Sequence, residues 1–127
     1  MTATRELTRL KVFRLEDEIE RMNPEASSAG RRAETLVKSD QIRVVLVTMR
    51  NGATLDAHCA PGPITIHALS GGFDVRVEAE SFRVNQGELI AIEPRVRHDV
   101  TAVAAGAFLL TIGWPHGLGG DPAIDGR

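Results

Sequence analysis

The sequence predicts an all-β domain, a sandwich or barrel of short antiparallel strands with a short helix or arm at its N-terminal end. Three observations carry this. From about Ala33 onward, strand-like runs are broken by turn residues at intervals of roughly ten residues, the spacing of sandwiches and barrels. Ile42 to Arg50 is apolar at both parities in its middle, as a strand buried on both faces must be. Phe73, Val75 and Val77 alternate with Asp74, Arg76 and Glu78, which gives another strand one dry face and one wet one.

The elements follow in order. Leu15, Ile19 and Met22 fall at helical spacing, and Pro24 stops the helix they define. Glu6, Leu7, Leu10, Val12 and Phe13 form an arm before it, suited to covering an edge of its own sheet or of a partner's. The polar stretch around Gly30 separates residues 1–31 from a barrel spanning 32–115. Ile42 to Arg50 ends in Asn51-Gly52, the strongest short hairpin signal. Ser81 to Val84 answers the Phe73 strand, Asn85 to Glu88 turns, and Leu89 to Ile92 is expected as a buried run. Pro94 lacks an amide donor and belongs at a strand edge or in a turn. Val96 to Val103 and Ala107 to Trp114 complete the set, with a turn expected before Gly106. Residues 116–127 are glycine-rich and poor in apolar side chains, and are expected to form a flexible tail.

Composition narrows the function classes. A chain of 127 residues is long enough to bury roughly two-thirds of its unfolded surface as one domain. The 15 Lys and Arg are scattered and balanced by 17 Asp and Glu, so nucleic acid is not expected as a partner. Ala102 to Trp114, the most apolar stretch, is too short to span a bilayer, and no membrane association is expected. One cysteine excludes an intrachain disulfide, and Met1 to Leu10 has no apolar run like a secretory signal, so a cytoplasmic location is the expectation.

The two regions around His58 and His98 share a pattern. Gly52 is followed by five residues and His58, then a turn, a strand and Gly71; later come Gly87, a strand, Pro94 and His98. This succession resembles the cupin superfamily over Leu36 to Trp114. The resemblance implies a jelly-roll β-barrel whose two motifs face one interior pocket. It also implies that His58 and His98 are metal ligands. The first motif's second histidine falls on Ala60, its glutamate on Ile64 or Thr65, and its closing glycine on Gly71. In the second motif Glu93 stands at the proline, Arg95 at the glycine and Ala102 at the asparagine.

Two of four ligands are therefore absent. Three histidines and a carboxylate anchor a transition metal with four donors and cancel part of its charge, whereas two imidazoles leave the remainder to water. Such a pair holds zinc, copper or nickel weakly, and the cofactor expectation is a divalent metal from the set Zn, Ni, Cu, Fe and Mn. Asp56 shares the strand parity of His58 and is a candidate replacement oxygen donor. His67 has the opposite parity to Ile64, Ile66 and Ala68, so it is expected to point out of the barrel. Cys59 is adjacent to His58 and should face away from it, His116 is expected to be exposed, and Arg95 and Arg97 flank the mouth of the second motif.

Ile64 and Ile66, with Asp56, are expected to line the binding pocket, and Leu46, Phe73, Val75, Val100, Phe108 and Leu110 to share the barrel interior. Three functions fit. The first is a single-domain binding or sensing module for a small molecule or weakly held metal, acting as a homodimer. The second is a metal-dependent enzyme of dioxygenase, isomerase or lyase type, with Asp56, His67 or water completing the shell. The third is an interaction protein with a filled core.

Overall fold

The computed structural model describes residues 5–7 and 10–114, with the side chains of 5–7, Ala57 and His58 outside the description. The expected tail, 116–127, and His116 with it, lie outside the described residues.

Two long strands organise the barrel. β6 (Ile64–Val77) and β9 (His98–Gly113) pair antiparallel along their whole length, from Ile64 opposite Ile112 to Val77 opposite His98. Each then has one remaining edge to share. Toward one end, β9 takes β4 (Ile42–Met49) and β6 takes β8 (Leu89–Ile92), with β3 (Arg31–Lys38) beyond β4. Toward the other end, β9 takes β5 (Thr54–His58) and β6 takes β7 (Glu80–Asn85). The result is a five-stranded half and a four-stranded half on one continuous pair, the jelly-roll arrangement expected.

The bend between the halves lies where glycines meet. The β6–β9 register shifts between Ala68 and Phe73, and Gly71 takes φ 75°, a conformation that costs a side-chain-bearing residue about 1–2 kcal/mol. Opposite it, a β-carbon on Gly106 would lie 2.2 Å from the Ser70 carbonyl oxygen. The turn expected before Gly106 is therefore absent, and one strand replaces the two expected there. Gly106 serves close backbone approach instead. Similarly, Asn51-Gly52 turns the chain, but β4 and β5 do not pair with each other; the Gly52 amide donates to the Ala102 carbonyl at 2.8 Å and β5 joins β9.

The halves enclose one core. Phe73 from the four-stranded half meets Phe108 from the five-stranded half edge to face, centroids 5.0 Å apart at 79°. Ile64, Ile66, Val75, Val100 and Leu110 are buried in the same cluster, as expected. At one end the Arg43 guanidinium lies over the Trp114 ring at 4.5 Å, a cation–π contact closing that end of the core.

Leu46 corrects the expected interior. On β4 the odd positions Val45, Val47 and Met49 face the core, whereas Leu46 packs outward with Met22 and Ala107. Both parities of β4 are apolar because a helix covers its outer side. That helix, α1 (Leu15–Arg21), carries Glu16, Asp17 and Glu18 in its first turn, where acidic groups favour the positive end of the helix dipole. Met22 follows it at 1% exposure, and Thr48 Oγ1 donates to the Met22 carbonyl at 2.6 Å. Arg21 bonds Glu18 Oε1 at 2.7 Å and Glu34 on β3, and these hydrogen bonds and charges raise its pKa above the ordinary arginine value.

Two further differences concern edges. Leu89 to Ile92 is not a buried run: β8 is an edge strand, Leu89 is 57% exposed, and only Ile92 is buried. Before α1, β1 (Arg5–Leu7) and β2 (Leu10–Val12) form a hairpin paired only with itself among the described strands, with Leu10 and Val12 exposed.

Candidate functional site

β5 ends at His58 and β9 begins at His98, and the ladder makes their α-carbons cross-strand partners. Antiparallel partners have α-carbons about 4.5–5.5 Å apart. The pairing is reached through an irregularity: Thr54 opposes Thr101 and Leu55 opposes Val100, after which β5 spends one extra residue before His58 meets His98.

His98 is 3% exposed and shares the parity of the core residues Val100 and Ala102. Its Nδ1 lies 3.1 Å from the Val96 carbonyl oxygen. A carbonyl only accepts, so the neutral ring carries its proton on Nδ1 and its lone pair on Nε2. This is the tautomer and the second contact that metal-binding histidines use.

The two motif loops are tied together nearby. The Arg95 amide donates to the Ala60 carbonyl at 2.9 Å, and Arg95 takes φ 63°. This is the left-handed conformation for which glycine is suited, so Arg95 stands at the motif's glycine and keeps a glycine's backbone. Sequence reasoning registered the replacement; the Pro94-Arg95 turn signal was the available hint of the conformation.

The positions of the two absent ligands hold hydrocarbon. Ala60 and Ile64 are buried in the main core at 7% and 3% exposure, and Thr65 is half-buried on the outer face. Ile66, at 1%, is also closed within the core. Among the described residues, no group of three or more His, Cys, Asp and Glu side chains converges as a metal cage would require. Ala60 and Ile64 thus supply no donor at the two positions where a four-donor shell would need them.

Asp56 is not on the interior side. It is exposed and lines an outer cleft of about 480 Å3 on the four-stranded half, with Thr54, Asp74, Arg76, Asp99 and Thr101. Alternation counted back from His58 would turn it inward, but the extra residue of β5 breaks the count between Leu55 and His58. Ion pairs cross this cleft and its rim: Arg76 Nη2 lies 3.0 Å from Asp99 Oδ2 and Arg83 Nε lies 2.6 Å from Asp74 Oδ1. The hydrogen bond that Arg83 donates to Asp74, then the carboxylate's charge, raises the pKa of Arg83.

His67 lies on the outer face between buried Ile66 and Ala68, in register with Leu89 and Leu109. Cys59 is exposed just past β5, and Arg95 and Arg97 are exposed around the second motif.

Comparison with known proteins gives the fold a context. No protein-family model matches the sequence. No curated protein is similar to it. Solved structures are similar. A conserved protein of unknown function from Streptococcus pyogenes superposes with a TM-score of 0.72 at 24% identity, over 91% of this chain and 97% of that one. An RmlC-like cupin from Shewanella frigidimarina gives 0.64 at 18% identity, over 71% and 81%. Salicylate 1,2-dioxygenase from Pseudoaminobacter salicylatoxidans, in adducts with gentisate, gives 0.61 at 14% identity over 65% of this chain and 25% of that one.

Proposed function

We propose, taking the chain as the single-domain cupin that its fold makes it, that it is a binding module whose ligand, a weakly held divalent metal or a small molecule, is received at His58 and His98. The observation that carries this reading is the register that makes these two histidines cross-strand partners, with His98 buried and its Nδ1 anchored on the Val96 carbonyl. The Val96 contact fixes the ring's orientation and tautomer, as the second contact of a metal-binding histidine does. Zinc, nickel and copper suit imidazole ligands, and iron or manganese sites rely more on the carboxylate missing here. The dioxygenase chemistry of one structural neighbour is not carried over, because Ala60 and Ile64 supply no donor. The cytoplasm accords with this reading, since the exposed thiol of Cys59 stays reduced there.

The test is calorimetric titration of the untagged, chelator-free chain with zinc, nickel and copper salts. One equivalent of metal, bound by the native chain and lost in the His58→Ala, His98→Ala double variant, is the expected result. If the native chain binds none of the three, or the double variant binds as the native chain does, metal binding at this pair is refuted.

A further inference from the structure

Two rows of residues cross all four strands of the four-stranded half. Phe82, Val75, Val100 and Leu55 are successive register partners, and so are Glu80, Val77, His98 and His58. Direct antiparallel partners share a face, so Phe82 and Glu80 stand on the inner side with Val75 and His98. Ser81 and Arg83 alternate with them and belong to the outer side, Ser81 in the cleft and Arg83 on Asp74. Glu80 is thus a charged residue on a face made otherwise of core side chains and the histidine row.

Coverage of that face ends along β7. Val84 is buried, whereas Phe82 is 42% exposed and Glu80 is exposed. Val77, between Glu80 and His98, is half-buried and packs against the core. The row that leads to the histidines therefore begins in solvent, beside an uncovered aromatic ring. The Glu80 carboxylate has no ion-pair or hydrogen-bond partner among the described residues, whereas Asp74 and Asp99 on the outer face each hold an arginine. Arg97, next to His98 in the chain, is exposed and makes no ion pair with Glu80.

Distance separates Glu80 from a metal shell built on both histidines. Three strand spacings, roughly 14 Å along the sheet, lie between its α-carbon and that of His58, more than these side chains bridge through one ion with bonds of about 2.1 Å. From His98 the gap is two spacings, roughly 10 Å, which a small molecule lying over Val77 can fill.

We infer that the pocket receives a small molecule with a cationic nitrogen at one end: the ammonium sits between Glu80 and the Phe82 ring, an apolar body lies over Val77, and the far end reaches His98. This rests on the reading of His58 and His98 as the ligand-receiving pair and names the chemistry of what they receive. An ammonium makes charge-assisted hydrogen bonds to a carboxylate and is drawn to an aromatic face. Glu80 and Phe82 are two residues apart on one side of a strand, about 6.8 Å, so one cation can touch both. An anionic end would meet Glu80 as like charge, and a neutral end would leave the carboxylate uncompensated.

Titration of hexylamine, hexanol and hexanoate into the untagged full chain, followed by amide NMR shifts, tests this. Hexylamine should bind with a millimolar dissociation constant and move the signals of Val77, Phe82 and His98. Hexanol and hexanoate should bind about tenfold more weakly or worse. Glu80→Gln should weaken hexylamine about tenfold and Phe82→Leu about threefold; both sites are exposed, so the circular dichroism spectrum should not change. Glu78→Gln, the same loss of charge in the adjoining turn, should leave the affinity as it is. No hexylamine binding at millimolar concentration, equal binding of the three probes, or a Glu80→Gln variant that binds as the native chain does would overturn the inference. The His58→Ala, His98→Ala double variant separates it from the reading on which it rests. Hexylamine affinity lost in Glu80→Gln and reduced in the double variant supports both. Affinity lost in Glu80→Gln but unchanged in the double variant, with shifts confined to β7, supports the ammonium site and refutes its link to the histidine pair.

Discussion

The Arg95 amide and the Ala60 carbonyl are joined by a 2.9 Å hydrogen bond that links the loop after His58 to the loop before His98. The bond depends on Arg95 holding φ 63°, a conformation that costs a residue with a β-carbon about 1–2 kcal/mol. Arg95→Gly should therefore raise stability by about 0.5–1 kcal/mol, part of the relief being offset by the added freedom of the unfolded chain. Arg95→Val, β-branched, should lower it by about 1–2 kcal/mol. Urea unfolding of the two variants measures both signs.

Metal affinity at the histidine pair should fall with acid. Each imidazole must be neutral to coordinate, so below the ordinary histidine range affinity drops about tenfold per pH unit for each ligand. Two participating histidines give a limiting slope of about two in a plot of log affinity against pH. A slope near one would show that a single imidazole binds.

Replacing His58 and His98 together by leucine should abolish metal binding and raise stability by about 0.5–2 kcal/mol, because a buried polar ring held in place for a ligand is exchanged for hydrocarbon. Thermal and urea unfolding report this. A clear loss of stability would favour the filled-core reading, in which the rings serve packing.

Seating of α1 on the sheet rests on Met22. At 1% exposure against Leu46 and Ala107, its truncation in Met22→Ala should cost about 2–4 kcal/mol. Thr48→Val should cost about 1–2 kcal/mol by leaving the Met22 carbonyl without its 2.6 Å donor. Protease susceptibility near Gly30 would rise in both if α1 detaches as a unit.

Gly106 tolerates no side chain. With its virtual β-carbon 2.2 Å from the Ser70 carbonyl oxygen, a backbone atom that cannot swing away, Gly106→Ala should cost about 2–4 kcal/mol. Gly87→Ala offers a contrast: nothing lies within 4 Å of its β-carbon, and its penalty comes from φ 87° alone.

Much of the barrel is legible where alternation is unbroken. Phe73 and Val75 against Asp74 and Arg76 gave the correct faces because that half of β6 has one side in water. Alternation failed where a second layer or an extra residue intervened. Leu46 was placed inside because α1 makes both faces of β4 apolar, which the β4 sequence by itself cannot divide. Asp56 was placed inside because the irregularity between Leu55 and His58 leaves no mark in residue type. Gly106 resembled a turn because a glycine in an apolar run looks alike whether the chain reverses or another backbone passes close by. That the strands of His58 and His98 meet is what the resemblance implies, its two motifs facing one pocket, and the register agrees; the Val96 anchor is a backbone contact that no side-chain pattern announces.

β9 follows β4, β5 and β6 in the chain and touches all three. During synthesis the earlier strands therefore emerge with no partner on the edges that β9 will fill, and His58 waits forty positions for His98. Pairings of such sequence separation form slowly. The barrel consequently closes only when β9 docks, and a nascent chain halted before it has no strand to join β4, β5 and β6.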